Sequence, residues 1–254
     1  SMLSELGYMH CYYATCDRPN TGLHGTAILS RAKPNRVLYG WSHTTRQEEE
    51  GRLITAVFCD HAIVNVYVPS SGIGAINLNK HLNFMNELNR HFHHLQSTLT
   101  VPVFITGDFN AIMRTEDWFD LNINARRRQW PSCTKADQTA LHTFLNKRGL
   151  DDAWSALKPN STDGYTYFEH KYNRQRNKGG RIDYLFAANK DLTPHQRHLV
   201  VQGCIWQRPH TPSIPTLHWR PRPCSQRHQP PPCFLYGGFL CIDTGANTNS
   251  RRTT

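Results

Sequence analysis

No stretch of the 254-residue chain approaches the ~20 consecutive apolar residues that a membrane-spanning helix needs, which excludes a helical membrane protein. Ser1 to Thr15 lacks a basic cluster followed by an apolar segment. The expectation is therefore an intracellular protein, nuclear or cytoplasmic, and not a secreted one. Charge is also sparse: charged residues make up 19% of the chain, against 38% hydrophobic and 11% aromatic. That balance excludes a wholly disordered chain. Lysine is missing from Thr193 to Thr254, where Asp243 is the only acid, yet seven arginines lie there. This segment carries +6 of the formal net charge of +10, leaving +4 for the first 192 residues. The surplus points to a polyanionic partner. No internal repeat is present. Eight cysteines are too irregularly spaced for a disulfide framework, so a reducing compartment is expected. Cys59 sits in an apolar run and reads as a small core residue.

The chain has the punctuation of a mixed α/β fold. Residues 23–31 read as a strand. Leu53 to Cys59 and Ala62 to Val68 are rich in β-branched residues and flank Asp60-His61, the pattern of a hairpin. Leu78, Leu82, Met85, Leu88, Phe92 and Leu95 recur at helical spacing, so a helix packs that stripe inward. Its histidines, His81, His91, His93 and His94, fall mostly off the stripe and are expected in solvent. A second helix runs over Lys135 to Arg148, with Thr134 as N-cap, Asp137 three residues on and Gly149 as the stop. Val101 to Thr106, Tyr165 to Phe168 and Arg181 to Ala187 read as further strands. Nine of the fifteen prolines lie beyond Leu192. Residues 1–215 are therefore read as one domain. Residues 216–254 are read as a Pro/Arg/Cys-rich, poorly ordered tail, whose composition suits a frame-shifted or mis-spliced extension.

Three strand ends carry the chemistry. One is Ile63-Val64-Asn65-Val66-Tyr67-Val68-Pro69. The second is Ile105-Thr106-Gly107-Asp108-Phe109-Asn110, which sets Asp108 and Asn110 two residues apart on one side of a strand end. The third is Arg181-Ile182-Asp183-Tyr184. Carboxylates and an amide converging at strand ends suit a hydrolytic phosphate site. Asp binds a hard divalent cation or orders a water, Asn holds that water or a phosphate oxygen, and Tyr67 can donate to a non-bridging oxygen. Each motif alone is better explained by a capped turn, a surface ion pair or a packed tyrosine. Their order and intervals together are not.

In these blocks the sequence resembles the endonuclease/exonuclease/phosphatase superfamily, within it the exonuclease III-like apurinic endonucleases and the endonuclease domains of non-LTR retrotransposons. The resemblance spans about Leu6 to Pro212 and includes Gly51-Arg52-Leu53-Ile54 and Tyr165-Thr166-Tyr167-Phe168. It implies a four-layer α/β sandwich of two mixed sheets flanked by helices, here incomplete because its first strands are missing. It implies Mg²⁺-dependent hydrolysis of DNA phosphodiesters, with Mn²⁺ as a substitute ion, by a monomer that acts on DNA. Asp108 would activate the attacking water, Asn110 would position it, and Tyr67 would contact the scissile phosphate. Asp183 would orient a catalytic histidine or share the metal with Asp108. Asn173, Arg174, Arg176 and Tyr167 would approach DNA.

The departures are specific. The family opens with a strand bearing an Asn and a second strand ending in a metal-binding Glu, and this chain starts just after them. Glu48, Glu49 and Glu50 lie in a polar linker and read as a solvated charge run. The family's closing Ser-Asp-His is echoed only by Arg208-Pro209-His210-Thr211-Pro212, which makes His210 the catalytic histidine's counterpart. Gly180 stands where apurinic endonucleases commonly carry an aromatic that walls the abasic-sugar pocket, so target-site nicking fits as well as abasic-site cleavage. Three other readings stand beside a nuclease. One is a catalytically degenerate remnant, or truncated gene product, that binds nucleic acid without cutting. Another is a zinc module built from Cys224, His228 and Cys233 with Cys204, His210 or His218. The last is the phosphatase or sphingomyelinase branch of the superfamily.

Overall fold

A computed structural model describes residues 2–5, 7–16, 25–45, 50–121, 130–158, 161, 164–188 and 239–242. The chain opens with a short helix, α1 (Met2–Glu5), and continues through β1 (His10–Thr15), β2 (Gly25–Ser30), β3 (Arg36–Tyr39), β4 (Leu53–Val57) and β5 (Ala62–Tyr67). Then come α2 (Leu78–Thr98), β6 (Val103–Asp108), α3 (Lys135–Arg148), β7 (Asp151–Asp152), α4 (Ala153–Leu157), α5 (Lys171–Gln175), β8 (Asp183–Ala187) and β9 (Phe239–Ile242). The strands form two sheets, ordered β1-β2-β9 and β3-β4-β5-β6-β8-β7. Both are mixed, because β5 runs parallel to β6 and β2 parallel to β9, whereas the other pairs are antiparallel.

Strand alternation explains how the layers meet. Ala62, Val64 and Val66 of β5, with Val103 and Ile105 of β6, face α2 and α3 and bury Leu88, Phe92, Leu141 and Phe144 beneath them. Residues of opposite parity face the smaller sheet, where Ile54 and Ala56 of β4 pack with Ile28 of β2. Asn65 joins the two sheets directly by donating from Nδ2 to the Ala27 carbonyl at 2.9 Å. The resulting α/β sandwich, two sheets flanked by helices, is the architecture expected from sequence. The hairpin is also as expected, with Val57 opposite Ala62 and the Phe58 N–H donating to His61 O. So is α3: Thr134 and Asp137 close a capping box, and Gly149 turns left-handed to end the helix.

Several expectations change. His81 and His91 of α2 are buried, while His93 is exposed. The inner face of the helix is wide enough to include them, and each is anchored there by hydrogen bonds, although His81 Nε2 faces Asp137 Oδ1 at 3.8 Å without one. His81 Nδ1 donates to the Pro69 carbonyl at 2.9 Å. His91 Nδ1 accepts from the Ser42 N–H at 2.9 Å, which leaves Nε2 to donate to Thr55 Oγ1 at 3.2 Å. Cys59 is exposed, because the strand ends at Val57 and the turn carries Cys59 out. Tyr165 to Phe168 is not a strand: Tyr167 makes a single bridge to Gly180. In the segment read as a tail, Phe239–Ile242 is a strand beside β2, and the remainder of 216–254 lies outside the described residues.

Candidate active site

The site is assembled by register. Tyr67, the last residue of β5, lies opposite Asp108, the last residue of β6, and Asp108 lies opposite Asp183, the first residue of β8. Residues opposite one another on adjacent strands point to the same face. By the alternation above, that face is the one turned toward the smaller sheet. The three side chains therefore form a row at one end of the seam between the sheets, each partly open to solvent. On β4's side the row is continued by Arg52, whose carbonyl accepts from the Tyr67 N–H at 2.8 Å.

Gly107 makes the row compact. Its φ of 128° and a Cβ that would overlap the Val66 carbonyl oxygen leave no room for a side chain where β6 closes on β5. Asn110 adopts a left-handed φ of 46°, which folds it back onto Asp108. Its N–H donates to Asp108 Oδ1 at 2.8 Å, and its Nδ2 donates to the Val68 carbonyl at 2.8 Å. Thr166 braces the other carboxylate, its hydroxyl oxygen accepting from the backbone N–H of both Ile182 and Asp183. Tyr184 turns away from the row, accepting from the Met113 N–H and donating to the Arg181 carbonyl.

Burial, then the neighbouring Asp183 charge, holds the Asp108 carboxyl well above the ordinary carboxylate range, against the opposing pull of Arg52. Burial also raises Asp183. The Tyr67 phenol is pushed up by burial and by Asp108. Two close carboxylates that resist simultaneous ionisation are a donor set that a divalent cation would relieve, and Mg²⁺ typically takes one or two carboxylates with substrate oxygens. The pair thus fits such an ion. Among the described residues no group of three or more His, Cys, Asp or Glu side chains is arranged to hold a metal.

Of the residues expected from sequence, Tyr67, Asp108, Asn110 and Asp183 come together. His210 lies outside the described residues, as do all the cysteines and histidines of the zinc reading. Tyr167 and Asn173, with Arg174 and Arg176, lie on or beside α5. Tyr167, Arg174 and Arg176 are exposed and Asn173 is half-buried, and the Arg174 guanidinium lies over the Phe168 ring. This loop reaches the row through Thr166 and through the Tyr167–Gly180 bridge. Gly180 gives its space to Trp118, whose ring lies where a side chain at that position would begin. Arg181 is not a surface ion-pair residue: it is buried between Asp117 and Asp152.

A family model for endonuclease/exonuclease/phosphatase proteins matches residues 2–204. The chain belongs to that family. It is 28% identical over 182 residues to the DNA-(apurinic or apyrimidinic site) endonuclease of Dictyostelium discoideum, covering 70% of this chain and 48% of that protein. It is 28% identical over 188 residues to the DNA repair nuclease APEX1 of Danio rerio, covering 74% of this chain and 58% of that protein. The chain thus spans about half the length of these relatives. Among solved structures, the 3'-5' exonuclease of Neisseria meningitidis superimposes with a TM-score of 0.61 at 20% identity, covering 74% of this chain and 70% of that one. This likeness shows the shared fold. No helix among the described residues is long and apolar enough to cross a membrane.

Two members of the site were missed from sequence. Arg52 stands in one of the family-like blocks but showed no sign of joining the row. Glu50 is buried, not part of a solvated run, because Arg52 and Lys80 both bind its carboxylate.

Proposed function

We propose that this chain hydrolyses DNA phosphodiesters as a divalent-metal-dependent endonuclease, of the apurinic-endonuclease or target-nicking type. The observation that carries the reading is the row of Tyr67, Asp108 and Asp183 across three adjacent strands, with Asn110 folded onto Asp108. Asp108, made more basic by burial, takes a proton from a water as that water attacks phosphorus. Asn110 holds Asp108 in place and lies where it can orient the same water. Tyr67, its phenol kept protonated at neutral pH, donates to a non-bridging phosphate oxygen. Asp183 orients a histidine that returns a proton to the departing ester oxygen, and His210 is the residue assigned to that step. Asp108 and Asp183 would hold Mg²⁺ or Mn²⁺, which supplies Lewis-acid polarisation of the phosphate when bound. Tyr167, Asn173, Arg174 and Arg176 extend the site along the DNA, with the arginines on phosphates.

Supercoiled plasmid with Mg²⁺ tests the reading. The expected outcome is conversion to open circles, reduced at least about a hundredfold in Asp108→Ala, the usual size of a lost general base. Equal nicking by Asp108→Ala, or none by the wild type, would remove it. One observation favours the second reading, a protein that binds nucleic acid without cutting: among the described residues the carboxylate pair has no third metal-type ligand beside it. Retarded plasmid migration without nicking would select that reading.

A further inference from the structure

Arg52 is the fourth member of the row, and its surroundings give it a defined task. It precedes β4 by one residue and lies beside Tyr67, so the two residues are held together at three points. The Arg52 carbonyl accepts from the Tyr67 N–H at 2.8 Å. Its Nη1 donates to the Tyr67 carbonyl at 3.2 Å. The face of its guanidinium lies 4.7 Å from the centre of the Tyr67 ring. A planar, permanently charged group stacked on a ring fixes that ring's plane as well as its position.

Arg52 is itself clamped. Gly51, at φ 64°, turns tightly against β1, where a Cβ would lie 2.6 Å from the Ala14 carbonyl oxygen. The turn folds Glu50 back over Arg52, and Nε donates to Glu50 Oε2 at 2.6 Å. Lys80 of α2 donates to both Glu50 oxygens, at 2.8 and 2.9 Å. Burial alone would raise the Glu50 carboxyl, but the hydrogen bonds from Lys80 and Arg52 bring it down to about 2, so it stays ionised across the working range of pH. A chain of alternating charge thus runs from the half-exposed Lys80 through Glu50 and Arg52 to the ring of Tyr67. Arg52 is only 4% exposed, too deep to meet a bound phosphate directly. Its effect must pass through Tyr67 and through its fixed positive charge beside Asp108.

We propose that Arg52, locked by Glu50 and Lys80, is a positioning residue that sets the plane and reach of the Tyr67 phenol in the row with Asp108 and Asp183. The effect on rate rests on the nuclease reading above; the effect on Tyr67 does not. The experiment follows Tyr67 and the reaction separately. Full-length protein is labelled with fluorotyrosine, and the Tyr67 signal is identified by its loss in Tyr67→Phe. Arg52→Lys keeps the charge but loses the flat fork, and Glu50→Gln keeps the shape but loses the charge that orients it.

Both substitutions are expected to shift or broaden the Tyr67 fluorine signal. Both should also lower kcat for plasmid nicking by about tenfold to a hundredfold, with KM within about twofold, as misplacement of a reacting group does. Arg52→Met should lose more than Arg52→Lys. If Glu50→Gln fails to fold, Lys80→Met at the exposed end of the chain reports the same linkage with a smaller shift. A Tyr67 signal unmoved in folded variants would overturn the proposal, as would rates that fall only with the folded fraction. A wild type that does not nick would remove the nuclease reading, and the fluorine signal would then decide the clamp by itself.

Discussion

Asp108 and Asp183 face each other across one rung of the β6–β8 ladder, and both carboxyls are raised by burial, Asp108 also by its neighbour's charge. A carboxyl with a folded pKa above its unfolded value favours folding fully below about pH 3.9, and that contribution is lost as pH rises through the folded value. Near pH 7 the pair therefore opposes folding. Asp108→Asn, which keeps the shape and removes one charge, is expected to stabilise the protein by about 1 kcal/mol, raising Tm by about 2–4 °C, while eliminating nicking. Thermal unfolding near pH 7 beside the plasmid assay checks both halves. A Tm that falls would mean that the carboxylate is held by favourable contacts and is not under strain. This residue-level pattern was half legible in the sequence. Strand-end position and the two-residue interval were enough to bring Asp108, Asn110, Asp183 and Tyr67 together. Nothing in the run Glu48-Glu49-Glu50 revealed that Glu50 turns inward, because its two cationic partners lie on other elements: Arg52 beyond a tight turn and Lys80 thirty residues away on α2.

At the scale of elements, sequence reading worked where a pattern was long. The stripe of α2 and the capping box of α3 are local signals that packing reinforces. β1 and β3 left no comparable trace: His10–Thr15 and Arg36–Tyr39 are short strands whose pairing with β2 and β4 is decided by the packing around them and not by a local pattern. The misjudged histidines have a measurable consequence. Burial, helped by the charges of His43 and His94, brings the His91 imidazole down to about 3. It also accepts the Ser42 N–H, a bond that the imidazolium cannot make. For a histidine depressed in this way, stability is complete above the unfolded value near pH 6.5 and is lost as pH falls towards 3, at up to about 1.4 kcal/mol per pH unit. Wild type should therefore lose stability between pH 7 and about pH 5 faster than His91→Gln does, by about 2 kcal/mol over that span. Urea unfolding midpoints at the two pH values make the comparison, and parallel loss in both proteins would show that His91 is not the titrating group.

For the molecule as a whole, the question is what the surplus of positive charge does. Much of the acid near the site is spent internally: Glu50 on Arg52 and Lys80, and Asp117 and Asp152 on Arg181. The exposed rim near the Asp183 end of the row carries Arg174, Arg176 and Lys178 on one short stretch. If this rim lies on phosphates, each arginine displaces about one condensed counterion from duplex DNA, and affinity falls linearly on a logarithmic salt scale. Replacing Arg174 and Arg176 together by Gln should reduce that slope by about 2 without changing the relative affinity for different sequences, since phosphate contacts position a protein and do not read bases. Neither residue is part of the buried frame, so the fold should be unaffected. Binding to a short duplex with Ca²⁺ in place of Mg²⁺, measured at several salt concentrations, separates this contribution from cleavage. An unchanged slope would move the DNA path away from α5.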